Sequence, residues 1–272
     1  MAEENAAPAA AENPDFPAFR QMFTSDEKAK YFKGMIYGPP GYGKTYSVKT
    51  IPNPAATLII SAESGLLTLR DMKIPVEVWQ VDSWKQTNTI LATLARKDLN
   101  ELRAKRKQPP LETVFIDSGT ELTKKCQDAI LIERKDLMAA RGKELNTIYK
   151  DQITQEDWGV IKGRIDRMFR TFRDLPFNVI CTALQHAVIS EESKTKMLAP
   201  LMFPQTLSEQ IPGYFDEVFH VCQAEDEQKQ TIRWWETVSD GTKYAKDRLG
   251  IFPKTINPDW GQVFNALKGG KA

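Results

Sequence analysis

One segment near the start of the 272-residue sequence has residue types and spacing suited to binding phosphate. It fits the pattern G-x-x-x-x-G-K-[ST] and runs Gly38-Pro39-Pro40-Gly41-Tyr42-Gly43-Lys44-Thr45. Glycines permit the positive φ angles and the close backbone approach that a loop around a polyphosphate requires. A helix that begins near Lys44 would point its free N–H groups at the anion. The segment therefore predicts a nucleotide-binding loop.

The predicted cofactors are ATP and Mg²⁺. Lys44 would reach the β- and γ-phosphates, and the Thr45 hydroxyl would ligate the metal. Asp117 ends the apolar run "TVFID", where a carboxylate can hold Mg²⁺ from the side opposite Thr45, although many strands simply end at a turn aspartate. The metal ligands are thus predicted as Thr45 and Asp117. The predicted nucleotide contacts are Gly38, Pro39, Pro40, Gly41, Tyr42, Gly43, Lys44, Thr45, Tyr46 and Asp117.

Hydrolysis needs a group near the γ-phosphate that activates or orients water. Motors of the AAA+ class usually carry glutamate directly after the metal-binding aspartate, and here that position holds Ser118. Glu63 is the alternative carboxylate, because it lies just past the predicted strand Ala56–Ser61, which we expect beside the phosphate-loop strand. The competing interpretation is a solvated glutamate in a loop.

Gln185 follows the apolar run Val179–Leu184. A glutamine at that strand end can hydrogen-bond the γ-phosphate and respond to the nucleotide, although it can equally be a turn residue. The predicted catalytic set is therefore Glu63, Lys44 and Gln185. His186 and His220, the two histidines of the chain, lack metal-ligand spacing, so neither is predicted to bind a metal.

Composition limits the classes of partner. Lys and Arg number 37 against 36 Asp and Glu, giving a net charge of +1, so any nucleic-acid contact must come from local loops. The three cysteines lie far apart without a CxxC pair, which predicts neither a disulfide framework nor a zinc site and fits a reducing cytoplasm. No apolar run approaches the length of a membrane span.

Short apolar runs alternate with longer amphipathic ones, which predicts an α/β fold with a mostly parallel sheet covered by helices on both faces. Ligands of such sheets bind beyond the carboxyl ends of the strands. Ser-Asp-Gly between Thr231–Val238 and Lys243–Ala245 predicts an antiparallel hairpin near the C-terminus. The predicted division is a disordered acidic tail (1–27), an ATPase domain (28–255) and a C-terminal tail (256–272).

Several segments together resemble the RecA-type recombinase core, and more closely the phage-encoded RecA-like ATPases of the single-strand-annealing (Sak-type) group. The segments are "IYGPPGYGKT", "LIISAESGLLTLR", "TVFIDSGTEL", "DWGVIKGRIDRMFRTFRDLPFNVICTALQ", "LSEQIPGYFDEVFHV" and "DGTKYAKDRLG". They extend from about Phe32 to Gly250. The resemblance implies a RecA-type P-loop NTPase core in which Glu63 activates water and Gln185 senses the γ-phosphate.

The same resemblance implies that two loops, roughly Ala139–Thr154 and His186–Gly213, bind single-stranded DNA, and that Lys246 and Arg248 reach the nucleotide of a neighbouring subunit. Solvated basic loops are the alternative for both segments, since acidic residues dilute their charge. The predicted DNA contacts are Arg141, Lys143, Lys150, Lys194 and Lys196. The sequence shows no clear RecA-style N-terminal polymerisation helix and no evident C-terminal DNA-gathering domain.

The expected function is that of an ATPase, slow and DNA-stimulated, that assembles as a filament or ring and handles single-stranded DNA in phage recombination or annealing. A phage single-strand-binding protein is a further expected partner, and the expected location is the bacterial host cytoplasm. Two alternatives remain: an annealing protein that uses ATP mainly as an assembly switch, and an AAA+-type remodeller of protein partners.

Overall fold

The computed structural model describes residues 31–63, 65–141, 152–189 and 196–269. Within these residues ten strands form one sheet. The strands are β1 (Lys33–Gly38), β2 (Thr57–Ser61), β3 (Glu77–Gln80), β4 (Thr113–Asp117), β5 (Asn178–Ile189), β6 (Lys196–Pro200), β7 (Glu217–Glu225), β8 (Thr231–Glu236), β9 (Lys246–Asp247) and β10 (Thr255–Ile256). The helices are α1 (Trp84–Leu94), α2 (Leu99–Lys105), α3 (Gly119–Ala140), α4 (Gln155–Asp174), α5 (Leu207–Gln210) and α6 (Trp260–Leu267).

The sheet has the strand order β10-β8-β7-β1-β5-β4-β2-β3, with β6 paired to β5 and β9 to β7. The pairs from β7 through β1, β5, β4 and β2 to β3 are all parallel. Antiparallel pairing occurs at β5–β6 and around β7 and β8. This arrangement confirms the α/β class with a mostly parallel sheet and an antiparallel C-terminal hairpin.

Both faces of the sheet are covered. Every residue of β1, β2 and β4 is buried, as in parallel sheets that lie between two helical layers. Successive residues of β1 point to opposite faces, so that Met35 and Tyr37 join the core beneath α1, α3 and α4, whereas Ile36 joins the core that contains α6. Trp260 of α6 is fully buried there.

The ends of two long helices are specified by local sequence. Thr154 caps α4 by accepting from the backbone N–H of Asp157, whose carboxylate accepts from the N–H of Thr154 in return. Ser118 caps α3 through the N–H of Glu121. Since α3 starts directly after β4, its first turn lies at the carboxyl edge of the sheet. No helix within the described ranges is both long and apolar enough to cross a bilayer.

Three sequence-based expectations need correction. The strand β2 does not lie beside β1, because β5 and β4 are inserted between them. The hairpin does not cross Ser239–Gly241: β8 pairs with β7 through the turn that precedes it, and the next strand, β9, also pairs with β7. Residues 256–272 are not simply a tail, since they contain α6. The expected N-terminal tail, 1–27, lies outside the described residues.

Candidate nucleotide-binding site

A cavity of about 380 Å³ opens at the carboxyl edge of the sheet. The residues around it come from the predicted phosphate loop, the segment after β2, the end of β4, the middle of β5 and the strand β8. They are Pro40, Gly41, Gly43, Lys44, Thr45, Tyr46, Glu63, Gly65, Thr68, Asp117, Thr182, Leu184 and Arg233. The sheet therefore brings Lys44, Glu63 and Asp117 to one space, as the strand-end rule predicts.

The loop from Gly38 to Thr45 has the backbone that its glycines predict. Gly41 and Gly43 adopt φ values of +79° and +87°, which side-chain-bearing residues rarely adopt. A Cβ atom on Gly38 would lie 3.0 Å from the carbonyl oxygen of Val221 on the neighbouring strand β7, so the close packing also requires glycine there. The loop then enters a short 3₁₀ helix, Thr45–Thr50, in place of the expected α-helix.

The Lys44 ammonium lies inside this loop. Its Nζ donates to the carbonyl oxygens of Gly38, at 2.9 Å, and Pro39, at 2.7 Å. An ammonium has three N–H donors, so one further donor remains for a ligand. Burial lowers the pKa of Lys44 to about 8, and the nearby carboxylates of Asp117 and Glu63 partly oppose that shift.

Asp117 is held by a hydroxyl on each side. Thr45 Oγ1 donates to Asp117 Oδ2 at 2.8 Å, and Thr182 Oγ1 on the neighbouring strand β5 donates to Oδ1 at 2.6 Å. Asp117 is 3% exposed. The sequence prediction did not include Thr182, but a threonine inside the buried run "VICTALQ" needs a polar partner, which is the signal that indicates it.

Glu63 is held at the same edge by the residues that follow β4. Its backbone N–H and that of Ala62 donate to the carbonyl oxygen of Asp117, at 3.3 Å and 2.7 Å. Its carboxylate oxygen Oε1 accepts a hydrogen bond from the Ser118 hydroxyl. Glu63 thus lines the cavity although β2 is not adjacent to β1. It is placed there by its hydrogen bonds to Asp117 and Ser118, which lie at the end of β4.

Arg233 of β8 adds a cation that the sequence prediction did not include. It lines the cavity, and a Cβ atom on Gly43 would lie 3.4 Å from its Cδ atom. Its Nε donates to Gln223 Oε1 on β7 at 3.0 Å, which fixes the guanidinium near the loop. No sequence signal identified it, since the contact depends on β8 pairing with β7 at the edge of the phosphate loop.

The remaining residues of the predicted nucleotide set differ in exposure. Pro39 and Tyr42 are half-buried, and Tyr42 packs against the core that contains α6. Tyr46 is exposed, and its ring lies 4.5 Å from Lys49 Nζ in a cation–π contact. Of these residues, Tyr46 also lines the cavity, whereas Pro39 and Tyr42 do not.

Gln185 does not lie where the sequence prediction placed it. The strand β5 continues to Ile189, so Gln185 is inside the strand and pairs with Pro200 of β6 instead of ending at the cavity. Its Oε1 lies 2.9 Å from His220 Nε2 on the far side of β1, and it is not among the residues that line the cavity. The residues of β5 that line the cavity are Thr182 and Leu184.

The two residues expected to act on a neighbouring subunit have partners in their own chain. Lys246 Nζ donates to the carbonyl oxygen of Phe215 at 2.6 Å, and Arg248 Nη1 donates to Asp216 Oδ1 at 2.9 Å. Neither residue lines the cavity of its own chain. Among the expected DNA contacts, Arg141 ends α3 and Lys196 begins β6, and both are exposed. Lys143, Lys150 and Lys194 lie outside the described residues.

Comparisons with known proteins identify the family of this chain. No curated protein matches the sequence. Among solved structures 122 chains match. One is the flagellar accessory protein FlaH from Methanocaldococcus jannaschii, with a TM-score of 0.38, 11% identity and coverage of 82% of each chain. Residues 30–249 match the profile of the AAA domain family. That match covers most of the chain and includes the phosphate loop, Glu63 and Asp117, so the chain belongs to the AAA domain family.

Proposed function

We propose that this chain is an Mg²⁺-dependent ATPase that acts on single-stranded DNA as a self-assembling protein in phage recombination or annealing. The observation that carries the ATPase part is the convergence of Lys44, Asp117 and Glu63 on one cavity beside the glycine loop. A cation, a metal-binding carboxylate and a candidate base are the groups that phosphoryl transfer to water requires.

The residues present fit Mg²⁺. The Thr45 hydroxyl and the Asp117 carboxylate are hard oxygen donors, and their oxygens lie 2.8 Å apart beside the loop. When bound, the ion would supply charge neutralisation to the β- and γ-phosphates. Thr182 would keep the Asp117 carboxylate oriented, since it donates to the oxygen that Thr45 does not contact.

The hydrolytic step assigns a role to each remaining group. Lys44 and the loop N–H groups bind the phosphates and compensate their charge. Glu63 orients the attacking water and accepts its proton, and Ser118 positions Glu63 through their hydrogen bond. Water then adds to the γ-phosphorus as the bond to the β,γ-bridging oxygen breaks, which yields ADP and phosphate.

Support for the DNA part comes from the Sak-type resemblance and from the basic residues around the β5–β6 hairpin and the end of α3. Ile189 and Lys196 pair at the described ends of β5 and β6, and both are exposed, Ile189 to 70%. Cations beside apolar side chains suit single-stranded DNA that is bound without sequence preference, because phosphate contacts and base stacking then act together. We include Arg141, Lys143, Lys150, Lys194 and Lys196 in this proposal, with host cytoplasm as the location and a phage single-strand-binding protein as a further partner.

Assembly would make turnover depend on a neighbour. Lys246 and Arg248 would exchange their contacts with Phe215 and Asp216 for the nucleotide of the adjacent subunit, as cations supplied in trans do in related reactions. Both rings and filaments allow this geometry.

The ATPase part is tested with Lys44→Ala, which should abolish nucleotide binding or turnover. Lys254→Ala is the matched control, since Lys254 is exposed and does not line the cavity. Normal turnover in Lys44→Ala would refute the assignment.

The DNA part is tested by measuring ATPase rate with and without single-stranded DNA, alongside particle images. We expect stimulation by DNA and assembly in the same conditions. Arg141→Ala and Lys196→Ala should each reduce the salt dependence of DNA binding by about one unit of slope, whereas Lys254→Ala should not. Annealing by Lys44→Ala without ATP would favour the assembly-switch alternative, and stimulation by a protein but not by DNA would favour a remodeller.

The trans contact is tested by mixing two inactive variants. Arg248→Ala retains Glu63, and Glu63→Gln retains Arg248, so mixed assemblies should recover ATPase activity that neither variant has alone. Activity that never exceeds that of the separate variants would contradict the proposal for Arg248.

A further inference from the structure

A second group of side chains lies together on the antiparallel strands β7 and β8. His220 and Cys222 are two residues apart on β7 and therefore point to the same face. Glu236 of β8 is the cross-strand partner of His220 in the sheet register. One possible ligand atom from each of His220, Cys222 and Glu236 lies within 4.8 Å of the other two. We call these three residues the β7–β8 cluster.

A hydrogen bond in this cluster favours the imidazole tautomer that a metal ligand needs. Gln185 Oε1 lies 2.9 Å from His220 Nε2, and because an amide oxygen only accepts hydrogen bonds, this contact favours a proton on Nε2. The lone pair is then on Nδ1, which lies 3.2 Å from Cys222 Sγ and 4.0 Å from Glu236 Oε2. The ring of Tyr37, 5.0 Å away between centroids, packs against the imidazole. Such an outer hydrogen bond orients metal-binding histidines in many proteins.

The donor set identifies a class of metal. One imidazole nitrogen, one thiolate sulfur and one carboxylate oxygen suit Zn²⁺ better than Mg²⁺ or Ca²⁺, which prefer oxygen ligands alone. We propose that His220, Cys222 and Glu236 form a zinc-binding site with a fourth position open to water. The sequence predicted no such site, because the three cysteines lie far apart and Glu236 joins His220 and Cys222 only through the pairing of β8 with β7.

Lys243 is the group with which the metal must compete. Its Nζ forms an ion pair with Glu236 Oε2 and lies 3.5 Å from Asp240 Oδ2. A metal ion at the cluster would replace the ammonium at Glu236, and Asp240, which is partly exposed, offers Lys243 a second carboxylate nearby. The site therefore contains its own competing cation, which limits metal affinity and makes it sensitive to Lys243.

This inference does not depend on the proposed ATPase or DNA activity. None of the three ligands lines the nucleotide cavity. Metal binding can be measured on the full chain without nucleotide, and a failure of one proposal leaves the other standing.

The test uses tag-free full-length protein titrated with Zn²⁺ in competition with a chromophoric chelator, and with Co²⁺ as a spectroscopic probe. We expect one saturable Zn²⁺ per chain and a Co²⁺ spectrum with a thiolate charge-transfer band. Cys222→Ser should remove that band and weaken Zn²⁺ binding by about 100-fold, and Gln185→Leu should weaken binding by about 10- to 100-fold. Cys126→Ala, at a buried cysteine in α3, is the matched control and should bind like wild type.

Lys243→Gln provides an independent variant, because removing the competing ammonium should tighten Zn²⁺ binding. The proposal is overturned if folded wild type lacks the thiolate band, or if Cys222→Ser binds Zn²⁺ as tightly as Cys126→Ala does. Either result would mean that the Lys243 ammonium neutralises Glu236 and that the cluster is not a zinc site. Circular dichroism of each variant without metal identifies any that fail to fold, and the wild-type spectrum then decides.

Discussion

The Ser118 hydroxyl donates a hydrogen bond to Oε1 of Glu63, joining the residue after Asp117, the proposed metal ligand, to the candidate base. Ser118, the residue after Asp117, thus orients the carboxylate of a residue from another segment of the chain. The carboxylate comes from the loop after β2, and its backbone is fixed to the carbonyl oxygen of Asp117. The end of β4 therefore positions both Asp117, the proposed metal ligand, and Glu63, the proposed base.

We predict that Ser118→Ala leaves ATP affinity unchanged and lowers turnover by about 10-fold, because Glu63 loses its orienting donor. Glu63→Gln should retain ATP binding and lower turnover by about 100-fold or more, since general-base catalysis contributes 10²–10⁴-fold. Single-turnover rates and equilibrium nucleotide binding separate the two effects. If Glu63→Gln hydrolysed ATP like wild type while Asp117→Asn did not, the base would lie elsewhere.

Thr182→Val tests whether the hydrogen bond from the Thr182 hydroxyl supports the Asp117 carboxylate. We expect the Mg²⁺ concentration at half-maximal ATPase rate to rise several-fold and the free energy of unfolding to fall by about 1–2 kcal/mol, because a buried carboxylate loses a donor. Thr57→Val is the control, since it also removes one hydrogen bond made by a buried threonine. The Thr57 hydroxyl, at the start of β2, donates to the carbonyl oxygen of Asn53. An unchanged Mg²⁺ requirement in Thr182→Val would mean that Asp117 needs no support from β5.

Nucleotide binding should depend on pH through Lys44. Burial lowers the pKa of Lys44 to about 8, and a bound polyphosphate raises it again by favouring the charged form. Above pH 8 binding must therefore take up a proton, and ATP affinity should fall as pH rises, whereas near pH 7 the ammonium is already charged. Calorimetry at pH 9 in buffers of different ionisation enthalpy measures the uptake. Equal affinity at pH 7 and pH 9 would contradict this prediction.

Stability should decrease with pH through Glu217, a fully buried residue of β7. Burial, followed by the charges of Asp247 and Asp216, raises the pKa of Glu217 from 4.5 to about 8. A raised folded-state pKa means that the stabilising contribution is complete below pH 4.5 and is lost as pH rises toward 8. The unfolding free energy of Glu217→Gln should therefore rise progressively above that of wild type between pH 5 and pH 7.5, by about 4 kcal/mol at the upper end. If the difference in unfolding free energy between the two proteins stayed the same at every pH in that range, this prediction would be wrong.

Trp260→Phe tests the contact between α6 and the phosphate-loop helix. The indole Nε1–H donates to Ser47 Oγ at 3.0 Å, and phenylalanine lacks that donor while filling most of the space. We expect a loss of about 1–2 kcal/mol in unfolding free energy and weaker ATP binding. Thermal melting and nucleotide titration measure the two effects, and ATP affinity equal to wild type would show that this contact supports the fold alone.

The sequence predicted the glycine loop and the position of Asp117 at a strand end, because each has a local signal. Gly41 and Gly43 adopt the conformations that glycine allows, and Thr154 begins α4 with the capping pair that its sequence contains. Glu63 reaches the cavity as predicted, but for a different reason from the expected strand neighbour.

The errors concern strand order, which local sequence does not encode. Gln185 was expected at a strand end, but β6 pairs with β5 and extends it, so the side chain contacts His220 instead of a phosphate. Arg233 and the β7–β8 cluster depend in the same way on β8 lying beside β7. Helix α6 was missed because it is short and its burial depends on Ser47 and Thr50, which are distant in sequence.

The bond between Trp260 and Ser47 joins residues 213 positions apart, and it has a consequence for synthesis. The ribosome releases the glycine loop long before β8 and α6 exist, so a nascent chain carries the loop without Arg233 or Trp260 beside it. The loop can therefore gain its contacts with Arg233 and Trp260 only after β8 and α6 have been synthesised.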